Sequence, residues 1–168
     1  EAFAKCKGLE LITLNSNMHE FMIWGHGRTE AITGMAAILM FQPFCHRYYW
    51  ASAGWNYGQI FKYYDTELGF YMAIFDPIFI GLLSTESLQI VSQGIELTRM
   101  QKVEMISDYK TAHALLDVCV LPNLQSKNCG TCVKCLRTLL SIELLGKLDL
   151  FSNVFDIDKY LKSWARKR

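Results

Sequence analysis

The sequence predicts an α/β layer protein with a mainly parallel sheet and flanking helices. Short apolar or aromatic runs of strand length recur along it, helix-length periodic segments separate them, and a cysteine-rich turn near the C-terminus opens directly into an apolar helical run. At 168 residues the chain is expected to form a single domain, residues 1–168, large enough to bury about two-thirds of its surface without cross-links. Lys and Arg number 17 against 16 Asp and Glu, so no net field recruits nucleic acid or an anionic membrane. The longest nearly unbroken apolar segment, residues 70–83, is interrupted by Asp76 and Pro77 and is too short to span a bilayer. The opening EAFAKCKGLELITL starts at Glu1 and has neither a secretory apolar core nor a cleavage site. The expectation is an interior piece of a longer cytoplasmic protein.

Taken in order, residues 1–7 read as the end of a helix stopped by Gly8. Residues 9–14 (LELITL) are apolar enough for a strand of a covered sheet, closed by the turn chemistry of Asn15, Ser16 and Asn17. Residues 18–24 are ambiguous, and Gly25-His26-Gly27 breaks them. Ala31, Ile32, Met35, Ala36, Ile38 and Leu39 then recur at helical spacing, in a helix over residues 28–41 that should stop before Pro43. Residues 47–52 (RYYWAS) read as a second strand ending at Gly54. Residues 55–73 show no period and read as a long irregular connection, in which Trp55, Tyr57 and Tyr63 are candidates to wall a ligand pocket.

Asp76-Pro77 reads as a helix start, with Asp as cap and Pro at the first helical position. Residues 88–91 are a third strand, followed by a Ser-Gln-Gly turn. Thr98-x-x-Gln101 has the capping-box form and opens a helix to about residue 109. Residues 115–120 are the last strand and carry Cys119. The terminal FDIDKYLKSWARKR reads as an amphipathic helix capped by Asp156, with a basic end.

Four of the six cysteines follow the order Cys119-x9-Cys129-x2-Cys132-x2-Cys135. Gly130 permits a tight turn in which amide hydrogens point at sulfur, and four converging thiolates match tetrahedral Zn2+. Such a site is closed by protein ligands and hence structural, a zinc knuckle that with its following helix spans residues 115–147. Lys127, Lys134 and Arg137 lie near enough in sequence to offset its surplus negative charge. An iron–sulfur cluster also suits three closely spaced cysteines, and free thiols or a disulfide pair are the bland alternative. Cys6 and Cys45 stand apart and read as core thiols.

In a parallel sheet, ligands collect at the carboxyl ends of the strands, here Asn15-Ser16-Asn17, Ser52-Ala53-Gly54 and the residues after Val120. Arg99 and Lys102 share one face of a helix start, where cations oppose the dipole by about 0.3–1 kcal/mol and a bound phosphate would relieve the penalty. Two solvated side chains are the alternative. His26, between glycines, could be presented to a ligand; His19, His46 and His113 form no metal-ligand pair.

The run NCGTCVKCLRTLLSIELLGK, with Cys119 upstream and IELTRMQKVEMI before it, resembles the C-terminal half of PP-loop ATP-pyrophosphatases of the 7-cyano-7-deazaguanine synthase-like group. HG at 26–27, SAG at 52–54, DP at 76–77 and Arg-x-x-Lys at 99–102 fall in a similar order. The family's first cysteine gap is eight residues, and here it is nine. The resemblance implies a Rossmann-like fold that binds ATP and Mg2+, adenylates an unidentified small-molecule substrate and releases pyrophosphate. It also implies phosphate or nucleotide contacts from Arg99, Lys102, Ser52, Gly54 and His26. The family's SGG-x-D-S phosphate loop is absent from these residues, so the expectation is a fragment inactive by itself. A zinc-stabilised module that binds a nucleotide or a protein without catalysis is the other reading.

Overall fold

A computed structural model describes residues 1–23, 25–53, 55–63, 74–120 and 128–165, with only the backbone of His19, His26, Gly27, Tyr63, Trp164 and Ala165. It contains a mixture of helices and one two-stranded parallel sheet, and these residues fall into two compact units, Thr13–Arg99 and Glu1–Ile12 with Met100–Arg168.

The unit Thr13–Arg99 holds the sheet. After α1 (Ala2–Lys7), which belongs to the other unit, a 3-10 turn at Met18–Phe21 precedes α2 (His26–Leu39). Strand β1 (Arg47–Ala51) pairs in parallel with β2 (Gln89–Gln93) in the register Arg47 to Gln89 through Ala51 to Gln93. Between them lie α3 (Tyr57–Tyr63) and α4 (Asp76–Leu82). Met35, Ile80, Leu88 and Ile90 form the core, and Tyr48 and Trp50 pack against it from alternate positions of β1. Gly34 is required where α2 meets this sheet, because a Cβ there would stand 2.6 Å from the Trp50 ring.

The other unit is helical. It comprises α1 (Ala2–Lys7), α5 (Arg99–Ser107, whose first residue falls in the sheet unit), α6 (Lys110–Leu115), α7 (Val133–Leu144), a 3-10 turn at Leu148–Phe151 and α8 (Ile157–Ala165). Cys135, Thr138, Leu139 and Ile142 form the buried stripe of α7 at helical spacing. They join Val103, Phe151, Val154, Phe155 and Tyr160 in one core. Tyr160 keeps its hydroxyl satisfied there by donating to Glu143 at 2.5 Å. Gly8 ends α1 in the left-handed region at φ 63°, as the sequence predicts.

Several expectations require correction. The large Rossmann-like sheet is not present among the described residues, where the sheet has two strands. Residues 9–14 are not a strand; Leu9, Leu11, Ile12 and Leu14 are exposed and their backbone joins no ladder. Residues 115–120 are not a strand either. Leu115 closes α6, and the amides of Val118 and Cys119 are taken by the Asn128 side chain rather than by a neighbouring strand. The connection after Trp55 contains α3, capped by a reciprocal pair in which Asn56 Oδ1 accepts from the Gln59 amide and Gln59 Oε1 from the Asn56 amide, both at 3.0 Å. Asp76 is inside α4 rather than its cap, since Phe75 holds that position. Cys6 is exposed, so it is no core thiol.

Candidate metal centre

The site is built on a turn that its own amides fold. Gly130, at φ 71°, takes the left-handed conformation that lets the chain reverse after Cys129, and it is packed so that a Cβ would lie 3.3 Å from the Asp156 carbonyl oxygen. The reversal aims the Thr131 and Cys132 amides at Cys129 Sγ, at 3.5 and 3.3 Å, with the Thr131 hydroxyl at 3.6 Å. Cys132 then caps α7, its sulfur accepting from the Cys135 amide at 3.5 Å. Cys135 is fully buried in the first turn of that helix.

Cys119 arrives from the segment after α6 and completes the set. The four sulfur atoms all lie within 4.8 Å of one another, and Cys129 Sγ stands 3.8 Å from Cys135 Sγ. A tetrahedron with metal–sulfur bonds of about 2.3 Å has edges of about 3.8 Å. The cage therefore fits a single thiophilic ion. All four cysteines are free thiols, which sets aside the disulfide alternative for them.

Electrostatics divide the sulfurs. Burial opposes ionisation of Cys129, but the Thr131 and Cys132 amides and the Thr131 hydroxyl outweigh it and hold the thiol down at about 6. Cys132 is lowered in the same way, burial being overcome by the amides of Cys135 and Val120. At Cys135 burial wins and pushes the thiol well above its usual value. A cation is what would favour thiolate at that last position, because its charge replaces the solvation that burial removes. Lys134 and Arg137 are exposed on α7, and Lys127 lies outside the described residues.

The residues nominated for nucleotide contact are scattered differently. Ser52 follows β1, its amide donating to the Gln93 carbonyl at 3.0 Å. Arg99 reaches the same strand end, where its guanidinium donates to the Ala53 carbonyl at 2.5 Å. Lys102 lies on α5, half-buried, in the other unit. Gly54 lies outside the described residues, as does the side chain of His26, whose backbone starts α2. Trp55 is half-buried, Tyr57 is exposed, and the Tyr63 side chain is outside the described set. A separate cavity of about 570 Å³ runs along α2, with Ser16, Met18, Met22, Thr29 and Gly34 among its walls.

Asn128 was missed by sequence reasoning, and Asp76 was read as a helix cap that could also bind a substrate group. Asp76 is 3% exposed and its Oδ1 has no hydrogen-bond partner; its place inside the apolar run AIFDPIFI was the available signal. Asn128 is 4% exposed beside the four-cysteine cluster, and no periodicity marks it. Comparison with protein-family models, with curated proteins and with solved structures returned no match.

Proposed function

We propose that Cys119, Cys129, Cys132 and Cys135 hold one structural Zn2+. The observation that carries this reading is the mutual approach of the four sulfurs within 4.8 Å. In a four-iron cluster each cysteine binds a different iron, so its sulfurs stand farther apart than around one ion; the 3.8 Å separation of Cys129 and Cys135 favours the single ion. Four protein ligands leave no open position, so the ion's role is to fasten Cys119 and the start of α7 together, not to activate water. Two surplus negative charges around Zn2+ are spread by the amides that point at sulfur.

Following the resemblance of the cysteine run and its upstream motifs, the chain is the C-terminal part of an ATP-dependent, adenylate-forming PP-loop enzyme, with ATP, Mg2+ and a small-molecule substrate as its partners. Its phosphate loop would come from residues other than these 168. Within this chain, Ser52 and Arg99 at the end of β1 support a phosphate contact, and the resemblance also implies contacts from Lys102, Gly54 and His26. A zinc-stabilised binding module shares every one of these features except catalysis.

Elemental analysis tests the metal: one zinc per chain is expected from a colourless protein, while iron with visible absorbance overturns the zinc assignment. Calorimetric titration with pyrophosphate tests the anion site, and Arg99→Ala should weaken binding about fivefold or more, in keeping with about 1 kcal/mol or more for a charge-assisted hydrogen bond. Equal affinity of the variant removes Arg99 from the site.

A further inference from the structure

We propose that Asn128 is the positioning residue of the metal centre, holding Cys119 at ligand distance from the other three cysteines. The inference rests on the metal reading above. Cys129, Cys132 and Cys135 come from one turn and the start of one helix, and local amides orient them. Cys119 comes from a segment that is neither helix nor strand, so what holds its backbone in place must come from side-chain contacts.

The Asn128 side chain supplies them. Its Oδ1 accepts from the Val118 amide at 2.8 Å and the Cys119 amide at 3.0 Å, while its Nδ2 donates to the Leu116 carbonyl at 2.8 Å and the Val154 carbonyl at 3.0 Å. Two lone pairs and two N–H groups are thus all used, the full capacity of a carboxamide. Asp117 Oδ1 adds a longer contact to the Cys119 amide at 3.3 Å.

Asn128 is itself fixed. Its amide donates to the Val154 carbonyl at 3.0 Å, and it forms a parallel bridge with Phe155, which is buried in the unit's core. It also immediately precedes Cys129. One side chain therefore sets the distance between the first ligand and the turn that carries the others. No other side chain of this length can replace it: a carboxylate would turn an oxygen on the Leu116 and Val154 carbonyls, and would add charge beside four thiolates.

Cobalt(II) titration of the full chain tests the role, because sulfur-to-cobalt charge-transfer absorbance reports how many thiolates bind. Asn128→Ala is expected to lower Co2+ affinity about 10–100-fold, as outer-shell substitutions do. Its absorbance per cobalt should fall by about a quarter, the share of one sulfur in four, to match Cys119→Ser. In the Cys119→Ser background, Asn128→Ala should cause no further loss of affinity, because the ligand it positions is already gone. Wild-type affinity and a four-sulfur spectrum in Asn128→Ala overturn the proposal, and so does a loss that adds to that of Cys119→Ser. If Asn128→Ala does not fold, Asn128→Ser, which retains a hydroxyl, carries the same comparison. A wild-type chain that takes up no Co2+ overturns the metal reading and this role together, whereas a four-sulfur wild type with an unaffected variant overturns this role alone.

Discussion

Asp76 sits in the first turn of α4 against Trp50, 97% of its surface removed from solvent, since it is 3% exposed, and with Oδ1 unpaired. Burial raises its carboxyl to about 6, against the Trp50 hydrogen bond that lowers it, and the charge of Glu30 raises it further. Its folded value therefore exceeds the ordinary value of 3.8, so its favourable contribution is complete below that value and is lost as pH rises through about 6. Asp76→Asn cannot ionise. The stability of the variant relative to wild type should accordingly increase between pH 4 and pH 7, by on the order of 1–3 kcal/mol. Urea unfolding at both pH values measures it, and a difference independent of pH would mean that the carboxyl is already satisfied. The neighbouring Pro77 made this residue look like a cap, a reading in which its burial was not legible. The clustering of the four cysteines, by contrast, was legible residue by residue, because such a cluster uses short, fixed spacings that survive in a linear sequence. Asn128 was not, since its partners Leu116, Val118, Cys119 and Val154 are scattered along the chain and meet only after folding.

Elements whose signals are local were read correctly. β1 and β2 follow aromatic and β-branched runs, α7 follows its apolar stripe, and α8 begins after the predicted cap, with Asp156 Oδ1 accepting from the Lys159 amide at 3.0 Å. Elements whose state depends on distant partners were not. An apolar run such as residues 9–14 becomes a strand only when a neighbour offers a ladder, and Val118 and Cys119 find a side chain instead. The short helices α3 and α6 lack a long period, although the Asn56-x-x-Gln59 pair was a usable start signal for the first. The cap of α8 gives a test at this scale. Asp156→Ala should destabilise the chain by about 1 kcal/mol, and Asp156→Asn, which can still accept the amide bond, by much less. Equal losses in chemical denaturation would assign the effect to the negative charge near the helix start rather than to the cap.

The two compact units have separate apolar clusters, one around Cys135, Leu139, Ile142, Phe151 and Tyr160, the other around Met35, Ile80, Leu88 and Ile90. The first includes the four-cysteine cluster, with Cys135 at its centre and Cys119, Cys129 and Cys132 packed against it. Binding of a structural Zn2+ is worth about 10–16 kcal/mol in small zinc-dependent domains, comparable to the roughly 5–15 kcal/mol that a whole domain has to spare. If the four cysteines hold Zn2+ as proposed, losing the ion should therefore unfold the unit that holds it. With a zinc chelator, amide hydrogen exchange is expected to accelerate at Val103, Leu139, Ile142 and Tyr160, while Met35, Ile80 and Ile90 retain protection. Cys132→Ser should reproduce that pattern without chelator, because it removes the sulfur that caps α7 as well as a ligand. Exchange unchanged at both sets would refute the structural role of the ion. Simultaneous loss at both would show that the units unfold as one cooperative body, so that the cage stabilises the entire chain and not only the helical unit.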